Sequence, residues 1–184
     1  MRVLIAYGTR YGSTEEIAKE IAKTIEEKGL ETELINLGVI KSKDWPPLDG
    51  FDGIIVGTSL KVNSWKKQVK TFLEKHKNEL KNTKFGMFTC GVWAIAEPLE
   101  AFNEVVFRLA KNFGLKADIH DAFGGVIDLS EDSNVGRAGR AALKLTALGF
   151  EKEQDIPIDK KARNDFRDWD KIRRFAEGFA DLLQ

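Results

Sequence analysis

Five short apolar runs mark the first two thirds of the chain. Four of them have the length and composition of strands buried on both faces of a parallel sheet, and polar and apolar residues alternate in the second run. Together they predict five strands, over residues 3–7, 31–37, 53–58, 84–90 and 115–123.

A helical pattern follows the first strand directly. Ser13 and Glu16 have the spacing of a capping box, and Gly29 is placed to end the helix. The apolar stripe at i, i+4 spacing predicts a helix over residues 15–28, with these residues facing inward: Ile17, Ala18, Ile21, Ala22 and Ile25.

The same periodicity predicts four further helices. They cover residues 64–76, the stretch from Pro98 to a stop at Gly114, and residues 136–148 and 169–183. The predicted inward faces are Val69, Phe72 and Leu73 in the first, Leu99, Phe102, Val105, Val106 and Leu109 in the second, and Ile172, Phe175, Ala176, Phe179 and Leu182 in the last.

Alternating strands and helices predict an α/β protein with a parallel sheet covered on both faces. Right-handed crossovers leave few topologies, and of the two common doubly wound orders, 2-1-3-4-5 accommodates five strands without a remainder. We expect a single domain over residues 1–184. Residues 126–165 form an inserted segment, because they are too many for an ordinary connection. It holds the helix over residues 136–148 and a charged stretch over residues 155–168.

Composition narrows the classes of function. The 184 residues carry 29 basic and 29 acidic side chains and a net charge of +0, which gives no global field for nucleic acid. Cys90 is the only cysteine, so neither a disulfide framework nor a cysteine-rich metal site is expected. No apolar run approaches the roughly 20 residues that span a bilayer, and the first strand starts at Arg2, so we expect a cytoplasmic protein.

The turn between the first strand and the first helix is a candidate anion site. It reads Thr9-Arg10-Tyr11-Gly12-Ser13-Thr14. The first N–H groups of a helix lack acceptors within the helix, and the helix dipole places partial positive charge there. A phosphate group is therefore expected to bind at this turn.

The residue types in this turn favour one kind of phosphate. A Walker A loop needs a lysine that is missing here, and a dinucleotide fingerprint needs three glycines where only Gly8 and Gly12 are present. Hydroxyls of Thr9, Ser13 and Thr14 suit a phosphomonoester dianion instead. The alternative is that Ser13 or Thr14 caps the helix, and one oxygen can serve both purposes.

This turn resembles the FMN-phosphate loop of the flavodoxins, usually Thr/Ser-x-Thr-Gly-x-Thr. Arg10 and Tyr11 stand where many flavodoxins carry a hydroxyl residue before the glycine. The resemblance implies a flavodoxin-like three-layer sandwich with FMN as cofactor, and a phosphate site formed by Thr9, Arg10, Tyr11, Gly12, Ser13 and Thr14.

The resemblance also places the flavin ring between two loops at the carboxyl ends of the third and fourth strands. One loop would contact the ribityl chain and the ring through Ser59, Leu60, Lys61, Val62 and Asn63. The other would contact the opposite side through Thr89, Cys90, Gly91, Val92 and Trp93, with Gly91 letting backbone N–H groups approach. Trp65 and Trp93 either stack on the ring or pack beneath the loops.

Other reactive residue types carry no catalytic arrangement. His76 and His120 are isolated in sequence and lack metal-ligand spacing. Cys90 ends a buried strand and is expected to be a small core residue rather than a nucleophile. Redox chemistry would then belong to the cofactor, so no catalytic side chain is predicted.

Two functions remain open, a flavodoxin-type electron carrier and an FMN-dependent oxidoreductase with its own substrate. The chain resembles the menaquinone-dependent, flavodoxin-like protoporphyrinogen oxidases in Thr9-Arg10, in Ser59 to Lys61, in Asp168-Trp169 and in its inserted basic helix. The resemblance implies a quinone or a redox partner protein as electron acceptor, and a porphyrin substrate.

The inserted helix has two possible roles. It carries Arg137, Arg140 and Lys144 beside Ala141, Leu143, Leu145 and Leu148. A basic amphipathic helix can meet a porphyrin carboxylate or the inner face of a membrane. Packing of its apolar side on the domain is favoured over membrane contact.

Overall fold

The computed structural model describes residues 1–60, 64–133, 135–153 and 155–184. The strands are β1 (Arg2–Gly8), β2 (Glu31–Asn36), β3 (Gly53–Ser59), β4 (Lys84–Cys90), β5 (Ile119–Phe123), β6 (Val126–Asp128) and β7 (Arg163–Asp165). The helices are α1 (Ser13–Glu27), α2 (Lys67–Lys75), α3 (Lys77–Leu80), α4 (Trp93–Ala96), α5 (Pro98–Phe113), α6 (Arg137–Glu153) and α7 (Trp169–Asp181).

The main sheet has the order β2-β1-β3-β4-β5, and every pair in it is parallel. The predicted order 2-1-3-4-5 is thus confirmed. Gly8 pairs with Thr58, and Ser59 pairs with Cys90, so the carboxyl ends of β1, β3 and β4 lie side by side. A ligand site at this edge can draw residues from three loops.

Two hydrophobic cores cover the two faces of the sheet. On β1, Val3 and Ile5 belong to the core shared with α1 and α7, whereas Leu4 and Ala6 belong to the core shared with α2, α3 and α5. This alternation follows from the pleat of the strand, in which successive side chains point to opposite faces. The result is the predicted three-layer sandwich.

The segment after β5 forms a small unit of its own. β6 and β7 pair antiparallel, with Val126 opposite Asp165 and Asp128 opposite Arg163. α6 lies between them in the chain and continues five residues beyond the predicted end at 148. A third core is formed by four buried residues from β6, α6 and the segments next to β6 and β7. They are Ile127, Leu129, Ala147 and Ile158.

Some predicted boundaries are wrong for local reasons. α2 begins at Lys67 rather than at residue 64, because the Lys66 N–H donates to Thr58 Oγ1 (3.1 Å) and holds the preceding segment at the end of β3. β5 begins at Ile119 rather than at residue 115. The N–H of Leu115 instead donates to the carbonyl of Leu109 at the end of α5.

Two predicted inward faces also need correction. In α5 the buried residues are Ala101, Val105 and Leu109, while Leu99 and Val106 are 70% and 41% exposed. The buried stripe follows strict i, i+4 spacing and excludes both. Leu182 is 39% exposed, since α7 ends at Asp181. No helix in the described residues is long and apolar enough to cross a membrane.

Candidate functional site

A cavity of about 640 Å³ opens at the carboxyl ends of β1, β3 and β4. This volume lies within the range of small-molecule and cofactor sites. The predicted site residues that line it are Arg10, Tyr11, Ser13, Ser59, Leu60, Cys90, Gly91, Val92 and Trp93. Lys61, Val62 and Asn63 lie outside the described residues.

The turn after β1 depends on one glycine. Gly12 has a φ of 96°, in the left-handed region that glycine tolerates best, and its carbonyl accepts from the N–H groups of Glu15 (2.9 Å) and Glu16 (3.1 Å). The Gly12 N–H donates to Thr9 Oγ1 at 3.0 Å. Gly12 is therefore the N-cap, and the predicted capping box between Ser13 and Glu16 is wrong, because Ser13 already lies in the first helical turn.

Two buried hydroxyls at this end of the sheet have no hydrogen-bond partner among the described residues. They are Thr14 Oγ1, on a residue with 0% exposure, and Ser59 Oγ, on a residue with 7% exposure. An unpaired buried hydroxyl costs free energy, so its presence points to a ligand that completes it. Together with the N–H groups of the first turn of α1, these donors fit a phosphate ester with a polyol chain.

Arg10 and Tyr11 form the outer wall of the same turn. The Arg10 Nη2 donates to the Ser64 carbonyl at 3.1 Å, which ties the turn after β1 to the segment after β3. The Tyr11 hydroxyl lies beside Gly139 of α6, where an added Cβ would be 3.3 Å away. Both residues line the cavity, so its wall continues from the main sheet onto the inserted helix.

The loops after β3 and β4 are joined by backbone hydrogen bonds. The Leu60 N–H donates to the Cys90 carbonyl (2.8 Å), and the Gly91 N–H donates to the Phe123 carbonyl (3.1 Å). Gly91 also approaches Leu60 closely, since an added Cβ would lie 3.1 Å from its carbonyl oxygen. Gly91 thus serves close packing of the two loops, and its own N–H is already used.

The two tryptophans proposed as stacking partners differ in position. Trp65 is 3% exposed and stacks on Phe113 (6.2 Å between ring centroids), so it belongs to the core. Trp93 lines the cavity, and its Nε1 donates to Glu97 Oε2 at 3.0 Å. Only Trp93 is placed where a ring in the cavity could meet it.

The histidines stand apart from this site. His76 packs between Trp45 and Phe72, and burial lowers its pKa. His120 packs on Phe102 (4.3 Å between ring centroids), and burial lowers its pKa as well. No group of three or more His, Cys, Asp or Glu side chains in the described part of the chain could hold a metal ion.

Cys90 is buried beneath the cavity. Its thiol donates to Ser13 Oγ (3.6 Å) and to the Gly124 carbonyl (3.5 Å). Burial raises the pKa of this thiol to about 11. These contacts fit the predicted core role, and the contact with Ser13 connects β4 with the turn after β1.

Native Cys90 is expected to resist alkylation at pH 8, because a thiol with a pKa of about 11 is ionised to only about a thousandth at that pH. Iodoacetamide labelling followed by mass spectrometry measures this. The same protein unfolded in guanidinium chloride is the control and should label fully. Equal labelling rates in the native and unfolded states would contradict the prediction.

One buried ion-pair cluster beside α1 does not follow from the sequence pattern. The Arg167 side chain is 1% exposed, and its Nη1 lies 2.8 Å from Glu16 Oε2 in the first turns of α1. Its Nε donates to Asp165 Oδ1 at 2.7 Å. Burial lowers the pKa of Arg167, but hydrogen bonds to Asp165 and Glu16 outweigh it and raise the pKa above its ordinary value. The sequence signal was only a cluster of charges in residues 155–168.

The inserted helix α6 supplies the apolar side of the cavity. Ala142, Leu143, Leu145, Thr146, Gly149 and Phe150 line it. Of the predicted basic residues, Arg140 donates to the carbonyls of Glu131 and Ser133, and the side chain of Arg137 lies outside the described part. Leu143 packs against the third core, which belongs to the inserted segment itself, whereas Leu145 and Leu148 are 71% and 52% exposed, so the expected packing of the apolar side is only partial.

The site and the sheet order define a flavodoxin-like protein. The model of the Flavodoxin domain family matches residues 4–138, well over half of the chain. The chain belongs to this family, and its cofactor is FMN.

Curated relatives add a more specific similarity. Protoporphyrinogen IX dehydrogenase [quinone] of Escherichia coli K12 is 29% identical over 80 residues, and so is its counterpart from the O157:H7 strain. The match covers 44% of this chain and 42% of each relative, so it spans less than half the length of the curated relatives.

Solved structures agree on the fold. Flavodoxin 2 from Bacillus cereus has a TM-score of 0.55 at 21% identity, and the alignment covers 99% of both chains. Rubredoxin oxygen:oxidoreductase from Desulfovibrio gigas has a TM-score of 0.57 at 17% identity, with 99% of this chain and 36% of that chain covered. These identities support the fold alone.

Proposed function

We propose that the protein is an FMN-dependent oxidoreductase with an organic substrate, and that it oxidises protoporphyrinogen IX with a quinone as electron acceptor. The observation that carries the proposal is the shared cavity. The loops after β1, β3 and β4 form one side of it, and the apolar face of α6 forms the other.

In this proposal each group of residues has a task. The hydroxyls of Thr9, Ser13 and Thr14 and the N–H groups of Ser13 and Thr14 bind the phosphate, with Arg10 and Tyr11 at its outer side. Ser59 and the loop after it bind the ribityl chain, and Thr89 to Trp93 border the ring. FMN, once bound, supplies the transfer of electrons, while the side chains orient it and limit the access of water.

The apolar wall argues for a substrate rather than for electron transfer alone. An electron carrier needs only an accessible edge of its cofactor. Leu143 and Phe150 instead enclose part of the cavity with apolar surface, which suits a planar apolar molecule such as a tetrapyrrole or a quinone. The similarity to protoporphyrinogen IX dehydrogenase [quinone] supports the same substrate class.

A flavodoxin-type electron carrier is the second candidate. It is supported by exposed apolar side chains, Leu145 and Leu148 on α6 and Leu99 and Phe107 on α5, because such side chains can meet a redox partner protein. The net charge of +0 weakens this candidate, since it offers little long-range steering toward a charged partner.

Two measurements test the proposal in sequence. The purified protein should take up FMN in a titration followed by visible absorption. Under anaerobic conditions, protoporphyrinogen IX should then reduce the bound flavin by two electrons, and a soluble quinone should reoxidise it. Three such cycles remove the six electrons that convert one protoporphyrinogen into fluorescent protoporphyrin. FMN uptake without substrate turnover, together with electron exchange with a ferredoxin, would favour the carrier.

Replacing Leu145 by glutamate is expected to lower kcat/KM for the apolar substrate by on the order of 3- to 10-fold, because Leu145 lines the cavity but is 71% exposed, so a charge there loses only part of its hydration when the substrate enters. Leu148→Glu is the matched control. Leu148 is also an exposed leucine of α6, but it does not line the cavity. Equal effects of the two variants on kcat/KM would place the substrate outside this cavity.

A further inference from the structure

The antiparallel pair of β6 and β7 with its flanking residues, called the hairpin below although α6 separates the two strands in the chain, contacts the loop after β4. The Phe166 N–H donates to the Gly125 carbonyl at 3.1 Å, and an added Cβ at Gly124 would overlap the carbonyl oxygen of Phe166. An added Cβ at Gly125 would lie 3.2 Å from the carbonyl carbon of Gly91. The backbones of Gly91, Gly125 and Phe166 therefore lie in direct contact, and Phe166 directly follows β7.

The same hairpin also holds the first turns of α1. Arg163 Nη2 donates to both carboxylate oxygens of Glu16, at 2.8 and 2.9 Å, and Arg167 Nη1 lies 2.8 Å from Glu16 Oε2. Asp165 fixes the Arg167 guanidinium from the other side. Trp169 packs against its plane, with the guanidinium carbon 4.4 Å from the ring centroid. A rigid cation therefore ties the hairpin to the helix.

Glu16 lies two residues after Thr14, whose unpaired hydroxyl faces no partner among the described residues. Ser13, Thr14 and Glu16 all lie in the first turn of α1, so contacts that fix Glu16 restrict the motion of that turn. Displacements of about 1 Å are sufficient to weaken hydrogen bonds to a charged group, since these bonds are short and directional. The contact with the hairpin is thus placed to decide how well this turn is organised.

We propose that Arg163 and Arg167 are positioning residues, which hold the phosphate-binding turn through Glu16 and couple FMN binding to docking of the hairpin. This inference rests on the proposed FMN site. Because coupling is reciprocal, FMN must stabilise the docked hairpin and the inserted segment by the same factor by which the docked hairpin tightens FMN binding.

Arg163→Ala tests the contact with little risk to folding, because the Arg163 side chain is 41% exposed and Arg167 remains in place. The dissociation constant for FMN is expected to rise by roughly 5- to 30-fold. The dissociation constant for riboflavin, which lacks the phosphate, should change less than about twofold. Arg163→Lys should recover only part of the FMN affinity, since it retains a charged donor to Glu16 but loses the contact with both carboxylate oxygens.

The matched control is Arg173→Ala. Arg173 forms a 2.7 Å ion pair with Glu20, one turn further along α1, but it belongs to α7 and not to the hairpin. FMN affinity should be unchanged in this variant. A loss of affinity equal to that of Arg163→Ala would overturn the proposal, because it would show that any ion pair of α1 has this effect.

The double variant Arg163→Ala with Glu16→Gln separates positioning from charge. If the contact positions the turn, FMN binding stays weak in the double variant. Recovery of wild-type affinity would mean that Arg163 only offsets the charge of Glu16, and it would overturn the positioning role. Thermolysin cleavage within residues 135–153 gives a second measure, and FMN should protect the wild type more than Arg163→Ala.

FMN binding by the wild type and by Arg163→Ala distinguishes the proposed function from the positioning role of the two arginines. A wild type that takes up no FMN contradicts the proposed function. A wild type that binds FMN, together with an Arg163→Ala variant that binds it equally well, contradicts the inference alone.

Discussion

Replacing Thr14 by valine is expected to weaken FMN binding by roughly 1.5–3 kcal/mol, or about 10- to 150-fold in the dissociation constant. The free energy of unfolding of the apoprotein should instead increase. Thr14 is fully buried, and its hydroxyl has no partner in the described part of the chain. Valine removes that unpaired hydroxyl while keeping the shape, so the apoprotein should gain up to about 1 kcal/mol.

These two opposite signs distinguish a ligand-binding hydroxyl from a structural one. Thr24→Val is the matched control, because Thr24 is a buried threonine of the same helix whose hydroxyl donates to the Glu20 carbonyl at 2.9 Å. It should leave FMN affinity unchanged and lower stability slightly. Isothermal titration and thermal unfolding measure both quantities. Unchanged FMN affinity in Thr14→Val would place the phosphate elsewhere.

The sheet could be predicted because β1, β3 and β4 are apolar on both faces and each predicted helix carries an apolar stripe. Only a parallel sheet between two helical layers buries both patterns, and the order 2-1-3-4-5 is confirmed. Predicted element boundaries were wrong where a contact between distant residues determines the end of the element. The hydrogen bond from the Lys66 N–H to Thr58 Oγ1 makes α2 begin at Lys67. The apolar periodicity within residues 64–76 does not indicate this contact.

The site was predictable where it follows from strand ends. Ser13, Ser59 and Gly91 follow or close strands that are neighbours in the sheet, and they line one cavity. Arg167 and Glu16 could not be paired from sequence, since 150 residues separate them and their contact depends on how the inserted hairpin docks. The binding roles of these residues remain predictions that the FMN titrations test.

The strands of the inserted segment could not be predicted from the local pattern of apolar and polar residues. β6 and β7 are each three residues long, and their inward residues are few, so neither gives an alternating signal.

The position of Trp65 could not be predicted, since an aromatic residue in a loop predicts ring stacking and core packing equally well. Its stacking on Phe113 is a contact with a helix nearly 50 residues away, which the sequence around Trp65 does not reveal.

Replacing Phe179 by alanine is expected to lower the free energy of unfolding by about 3–5 kcal/mol, the usual loss for a fully buried phenylalanine. The ring occupies space that two glycines of the sheet leave open. An added Cβ would lie 2.8 Å from it at Gly53 and 3.0 Å from it at Gly86. The backbone of β3 and β4 cannot collapse into the vacated volume, so the cavity term should be large.

Phe107→Ala provides the control for this prediction. Phe107 is 56% exposed on α5, so its truncation should change the free energy of unfolding by no more than about 0.5 kcal/mol. In thermal unfolding, Phe179→Ala should lower Tm by roughly 6–20 °C, since 1 kcal/mol corresponds to about 2–4 °C at this chain length. A loss similar to that of Phe107→Ala would contradict the packing of α7 against β3 and β4.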